Sequence, residues 1–457
     1  MGNTKHAFVL VDAMISVALF SMLIPIAIQV NTVWRKIESD SNMSILLSSA
    51  YVNIFSEHIA RSGNLDIHIS ENLQRIFSTS TKELVSVGGT RAGSFDSIDF
   101  RSSKISDICR IRPNAVIEDF SIVKTFLELP ANSVATDVEI LGNMLFISVD
   151  STRQLDPDLY IYTLSPDKNI FQKAQYDTGS GISSLYVDGN TLFGANQSTK
   201  FPLQIFSISP DGFIEHATST VVSSATTTST HGVGTSLTKE GSFLFLGTTK
   251  SSISELHVFE ISNPLLPIHR NEFEIGTQIN DLRITNNGYL LIATPESPQI
   301  RSISVPDVID GKYNVISSTN FPGSSVQDAS SLYVTGDSIF VGRTVGGFNN
   351  VNNPEIVIID RNDLSLKNAI DVGSSVQNVI RNGEVLLVAT GKPKNQFRLY
   401  RIIDIGIGHR VSLIGEISLP GPATSLSCDE ETIVITLGER SAKSDAVVLI
   451  SINETYH

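Results

Sequence analysis

Asp12 is the single charged residue among the 23 from Phe8 to Val30. A lone carboxylate in hydrocarbon is costly unless a cation meets it, so the chemistry it calls for is charge pairing inside a membrane. A second set of polar residues recurs at matching places in a repeated line: Asp137, Ser184, Ser236, Asp281, Ser331, Asn378 and Ser425. Brought together, they would form a ring of oxygens suited to a polar ligand or a cation. The competing reading is that small polar side chains are what a narrow wet channel tolerates. The two aspartates are acid–base groups in principle, but no activated nucleophile accompanies them. A third set is basic: Arg153, Lys200, Lys250, Arg343, Lys392, Lys394, Arg440 and Lys443 lie in loops of an otherwise acidic chain, with Phe348 as an aromatic contact in one Asn/Gly-rich loop. Such residues suit an anionic partner.

What is missing narrows the field. The nine histidines are scattered, with no HExxH or other close pair, so neither a metal nor any other cofactor is indicated. A non-enzymatic protein is expected. The formal net charge of −14 excludes loose binding to nucleic acid. Two cysteines, Cys109 and Cys428, are too few for a disulfide scaffold. Cys428 occupies a position that holds Ile140, Val187, Ile284 or Val334 in other repeats, and core filling is its expected role.

The elements that would position the last two sets come from repetition. Seven lines recur at spacings of 45 to 52 residues, among them "DVEILGNMLFISV" from Asp137, "SLYVDGNTLFGAN" from Ser184 and "SLYVTGDSIFVGR" from Ser331. Each reads as two strands around a tight Gly/Asn/Asp turn. A third strand follows each hairpin, such as "ELHVFEIS", and a fourth follows in six of them, such as "HRNEFEIG". The seventh copy stops short at "SINETYH". An extra strand, "SIVKTFLELP" from Ser121 to Pro130, stands before the first copy and matches "VSLIGEISLP" from Val411 to Pro420. Four-stranded units that repeat radially make a β-propeller, which hides its sheet edges by closing on itself. The fold class expected is mainly β: a seven-bladed propeller over residues 117–457, with 117–130 closing the last blade. In it the ring residues surround one mouth of the channel, and the loops between second and third strands share that face.

Upstream, residues 8–61 read as one long helix, apolar all round over 8–30 and amphipathic beyond, with Pro25 as a kink. At about 1.5 Å per residue, 8–30 is long enough to cross a bilayer core. Residues 62–116 carry short strand-like runs and form a linker or a small sheet.

Lys5, Ala7, Phe8, Val9-Leu10-Val11, Asp12 and the apolar run that follows resemble the N-terminus of type IV pilins and pseudopilins. The likeness covers about the first 40 residues. It differs in having Ala7 for the usual Gly and Asp12 for the usual Glu. It implies a leader over 1–7, cleavage by a prepilin peptidase between Ala7 and Phe8 with methylation of the new amine, and pairing of Asp12 with that amine on a neighbouring subunit. The repeats, most clearly "LHVFEISNPLLPI" from Leu256, resemble LVIVD-repeat propellers, a structural family that implies no reaction. Together the resemblances imply a minor or tip pilin with an adhesive head, held in the cytoplasmic membrane before entering an extracellular pilus. Its partners would be other pilin-like subunits, the peptidase, membrane lipid, and a glycan or surface protein. A pseudopilin of a type II-like secretion system and an anchored propeller outside any filament are the alternatives.

Overall fold

A computed structural model describes residues 116–455, apart from segments at 130–132, 151–155, 166, 221–231, 322–326, 346–352, 393, 406–407, 430–431 and 439–444. The N-terminal helix, Ala7, Phe8, Asp12 and Cys109 lie outside the described residues, as do Arg153, Phe348, Arg440 and Lys443. Among the described residues no helix is long and apolar enough to cross a membrane.

The chain makes seven four-stranded antiparallel sheets. It opens with β1 (Val116–Glu128). Blade 1 is β2 (Val134–Leu141), β3 (Met144–Asp150), β4 (Leu159–Leu164) and β5 (Ile170–Tyr176). Blade 2 is β6 (Ile182–Asp188), β7 (Thr191–Asn196), β8 (Leu203–Ile208) and β9 (Ile214–Thr220). Blade 3 is β10 (Gly234–Glu240), β11 (Phe243–Thr248), β12 (Leu256–Glu260) and β13 (Ile268–Phe273). Blade 4 is β14 (Asp281–Ile284), β15 (Tyr289–Ala293), β16 (Ile300–Ser304), a short helix α1 (Val305–Ile309) and β17 (Val315–Thr319). Blade 5 is β18 (Gln327–Thr335), β19 (Ser338–Val345), β20 (Ile356–Asp360) and β21 (Leu366–Ile370). Blade 6 is β22 (Val376–Asn382), β23 (Val385–Thr390), β24 (Phe397–Ile405) and β25 (Gly408–Ile417). The last sheet runs in the order β1, β28 (Asp445–Thr455), β27 (Thr432–Leu437), β26 (Ala423–Asp429). Its outermost strand therefore comes from upstream of blade 1.

Burial follows from each sheet lying between two others. The second strands are apolar without alternation and are buried on both faces: β23, "VLLVAT", is buried at all six positions. The fourth strands are mostly exposed or half-buried, and in β13 the two alternate. Seven apolar clusters fill the seven junctions between neighbouring blades. One of them joins Ala135, Val138 and Leu145 of blade 1 to Phe126, Val434 and Val447 of the last blade, so the ring is closed by packing as well as by strand pairing. Phe126 meets Tyr162 edge-on at 5.3 Å across that seam. The first hairpin of each of blades 1 to 6 turns on a glycine with positive φ, a conformation free of strain for that residue: Gly189 and Gly383 both sit at +55°.

The inner strands differ from the sequence expectation in one respect. The ring residues are not their first residues, Asp281 excepted. In the other six blades a register shift immediately precedes the ring residue, at Ala135/Asp137, Ile182/Ser184, Gly234/Ser236, Ala329/Ser331, Val376/Asn378 and Ala423/Ser425. Each bulge leaves one residue unpaired and turns it out of the ladder.

Candidate functional site

The residues set loose by these bulges tie the blades together. Thr136 donates from its hydroxyl to the Ile182 carbonyl of blade 2 at 2.5 Å. Thr235 does the same to Ile279 at 2.6 Å, Ser330 to Val376 at 2.7 Å, and Thr424 to Ala135 at 2.6 Å. In blade 4, Asn280 reaches the Ala329 carbonyl at 2.8 Å. Every one of these bonds runs from a blade to the next one round the ring.

The ring residues stand one position further on. Asp137 spans three blades: its Oδ2 accepts from the Leu185 amide at 2.8 Å and the Ser184 hydroxyl at 3.2 Å, and its Oδ1 accepts from the Ser425 hydroxyl at 2.7 Å. Asn378 donates to Ser425 Oγ at 3.0 Å. Asp281 accepts from the Leu332 amide of blade 5 at 2.7 Å and from Leu282 at 2.8 Å, with Arg283 Nε 3.6 Å away. Burial pushes the Asp281 carboxyl above the ordinary carboxylate range, against the opposing effect of Arg283 and the amides. Ser236 and Ser331 are buried, each directly across from a glycine. A Cβ on Gly247 would lie 2.4 Å from Ser236 Oγ, and one on Gly342 would lie 2.3 Å from Ser331 Oγ. Asp137, Ser184, Asp281, Asn378, Glu139 and Arg283 all line one polar cavity on the channel. The two aspartates spend their acceptor oxygens on backbone amides and hydroxyls of neighbouring blades. That arrangement orients blades.

A second polar circle had escaped sequence reading. The residue just before the third strand, or at its first position, is Asp158, Glu255, Gln299, Glu355, Gln396 or Asp445 in six blades. Its side chain accepts from the backbone at the end of the fourth strand. Glu255 takes the Ile275 and Gly276 amides at 2.8 and 3.0 Å; Glu355 takes Val372 and Gly373 at 2.7 and 3.0 Å. Asp158 accepts from Thr178, Gln299 from Phe321, and Gln396 from Leu419. The last blade departs from this pattern, since there Asp445 accepts from the side-chain hydroxyl of Thr125 within β1. Burial raises the Asp158 and Glu355 carboxyls above their ordinary range, the amides holding the rise in check. The sequence signal is a lone acid or amide ahead of the "LYIYTL"-type run in six of the seven units, visible once the period is known.

The basic set is divided by the structure. Lys200 is exposed, its ammonium 4.9 Å from the centre of the Phe201 ring. Lys250 is exposed beside Glu296 at 3.7 Å. Lys392 is half-buried and Lys394 exposed. Arg343 must be withdrawn from this face. It is fully buried at the end of β19, donates to the Pro354 carbonyl at 2.9 Å and lies 5.4 Å over the Phe321 ring. Burial pulls its guanidinium down to about 10, opposed by the charge of Glu355. Register placed it there: Arg343 pairs with Ala329 inside the β18–β19 ladder, where a loop was expected. Cys428 is buried, as core filling requires, but it is also disulfide-bonded. Among the described residues, one group of side chains offers metal-ligand atoms close together: His257, His269 and Glu272, on the two outer strands of blade 3.

No protein-family model matches the chain, and no curated protein matches it. Solved structures do match in fold. The WD40 propeller domain of Doa1 superposes with a TM-score of 0.51 at 12% identity, covering 73% of this chain and 97% of that one. A catalytically inactive virginiamycin B lyase from Staphylococcus aureus, with quinupristin, gives 0.51 at 10% identity over 73% and 100%. The WD40 repeats of RRP9 give 0.50 at 11% identity over 73% and 98%. These likenesses establish the propeller. They include both a lyase and repeat domains, so the fold by itself does not decide between catalysis and binding.

Proposed function

We propose that this chain is a pilin-like subunit whose propeller is a recognition head, a minor or tip component of a type IV filament. One observation carries the reading: a chain with a closed seven-bladed ring also has, upstream, the Ala7–Phe8 step followed by Asp12 inside a long apolar run. Cleavage before Phe8 creates an ammonium one helical turn from Asp12, and pairing between subunits gives the carboxylate its partner. A head of about 340 residues crowds a filament in which every subunit carries it, which favours a minor or terminal place.

Binding by the head is favoured over catalysis because the aspartates of the channel are committed to blade contacts. The groups left for a partner are the cations of the loop face, Lys200, Lys250, Lys392 and Lys394, which suit an anionic glycan or an acidic protein surface. Mass spectrometry of the mature N-terminus tests the reading. A chain beginning at N-methylated Phe8 supports it. A chain beginning at Met1 in cells that process their other pilins refutes it and leaves an anchored propeller.

A further inference from the structure

We propose that His257, His269 and Glu272 form a binding site for one divalent transition-metal ion of the zinc class, clamping the outermost strand of blade 3 to its neighbour. This goes beyond the recognition role and does not depend on it.

The β12–β13 ladder pairs His257 with Glu272, so these side chains share a face. His269 and Glu272 are three residues apart on one strand and would ordinarily point to opposite faces. A bulge intervenes: Val258 pairs with Asn271 and Phe259 with His269, leaving Arg270 as the extra residue. That single insertion returns His269 to the face of Glu272 and His257. Other blades carry a comparable register shift between their third and fourth strands, but only here does it assemble these residue types among the described residues.

The distances fit a shared ion. His257 Nδ1 lies 3.7 Å from Glu272 Oε2, longer than a hydrogen bond. Ligand atoms bound tetrahedrally at about 2.0–2.2 Å are about 3.3–3.6 Å apart. All three donors lie within 4.8 Å of one another, and the imidazole centroids are 5.6 Å apart. Small side-chain rotations close the set, since Glu272 is exposed and His269 half-buried.

The competing arrangement is a cross-strand ion pair, as at the equivalent place in blade 6, where Arg398 Nε lies 3.6 Å from Glu416 Oε2. In blade 3 the cation would have to be an imidazole with no exposure to water, beside a second imidazole. Charging a fully buried group is costly. A metal takes the imidazoles in their neutral form and supplies the positive charge itself. Two nitrogens and one carboxylate oxygen leave a fourth position for water, on the side where Glu272 meets solvent.

The test uses the untagged full chain in detergent, stripped with EDTA and titrated with Zn²⁺, then with Co²⁺ as a spectroscopic probe. One zinc per chain is expected, with visible d–d absorption of tetrahedral Co²⁺. His269→Ala and Glu272→Gln should each weaken zinc binding at least ~10-fold, while His216→Ala, an exposed histidine of blade 2, leaves it unchanged. Both test positions are at least partly open to solvent, and metal-free unfolding curves confirm that the variants fold. Absence of stoichiometric zinc, or equal zinc affinity in wild type and both variants, overturns the proposal.

Discussion

Replacing Asp137 separates a structural ring from a ligand-binding one. Its carboxylate holds the Leu185 amide of blade 2 at 2.8 Å and the Ser425 hydroxyl of the last blade at 2.7 Å. Hydrogen bonds to a charged group contribute about 1.5–3 kcal/mol each, and an amide left buried without an acceptor adds its own cost. Leu185 is only 2% exposed, so its amide has little access to water in compensation. Asp137→Ala is therefore expected to cost about 3–5 kcal/mol. At about 2.1 cal/mol/K per residue, a propeller of about 340 residues has an unfolding entropy near 0.7 kcal/mol/K, and the loss becomes a fall of about 4–7 °C in Tm. Asp137→Asn keeps an oxygen for Leu185, and its amide donates to a Ser425 hydroxyl that can turn to accept. It should cost about 1–2 kcal/mol. Thermal unfolding followed by near-UV circular dichroism reads both. An Asp137→Ala protein melting within ~1 °C of wild type would refute the latch. So would an Asn variant as damaged as the Ala variant, since charge itself would then be what the ring preserves.

The closing strand gives a second expectation: Phe126→Ala removes a ring packed on Tyr162 across the seam and should cost about 3–5 kcal/mol, read by urea denaturation. Thr424→Val deletes the hydroxyl that reaches Ala135 across the same seam and should cost about 1–2 kcal/mol by that assay, with Ser219→Ala, whose hydroxyl bonds Gln204 within blade 2, costing less. Glu355 has a carboxyl raised by burial, so its neutral form favours the fold below 4.5 and that contribution is lost as pH rises through the higher folded value. Glu355→Gln should flatten stability against pH from 4.5 upward, as seen in melts across that range. Asp337 and Asp360 behave in the reverse sense: hydrogen bonds that outweigh burial hold both below 3.8, from Lys367 and Ser338 for Asp337 and from the Asn362 amide and Lys367 for Asp360, so their contribution is present above 3.8 and lost as pH falls through the depressed values; Lys367→Met should reduce that acid-limb dependence. Charge reversal of Lys200, Lys250, Lys392 and Lys394 together should weaken attachment of the head to anionic surfaces at low salt, and unchanged attachment counts against the loop face.

The number of blades and the strands within them were open to reading because a sheet buried on both faces needs unbroken apolar strands. "LFLGT" and "VLLVAT" are two copies of a run that recurs once per repeat. The hairpin turns were equally plain, since positive φ at Gly189 or Gly383 demands glycine. An upstream strand without a blade, and a last blade without its outer strand, are also visible in one dimension, and β1 lies beside β28. What the chain could not disclose is register. The bulges before Asp137 and its counterparts depend on how two strands meet, and they decide that Thr136 and Thr424 reach the next blade. Arg343 looks like a loop cation until its strand is extended to Val345.

His257 and His269 are twelve residues apart, a spacing that suggests nothing until the ladder folds one beside the other and a single extra residue turns both toward Glu272. Periodicity is a property of each strand alone and survives in the sequence. Which side chains touch depends on pairing between strands and on packing between blades, and a one-residue slip in either sends a side chain to the opposite face.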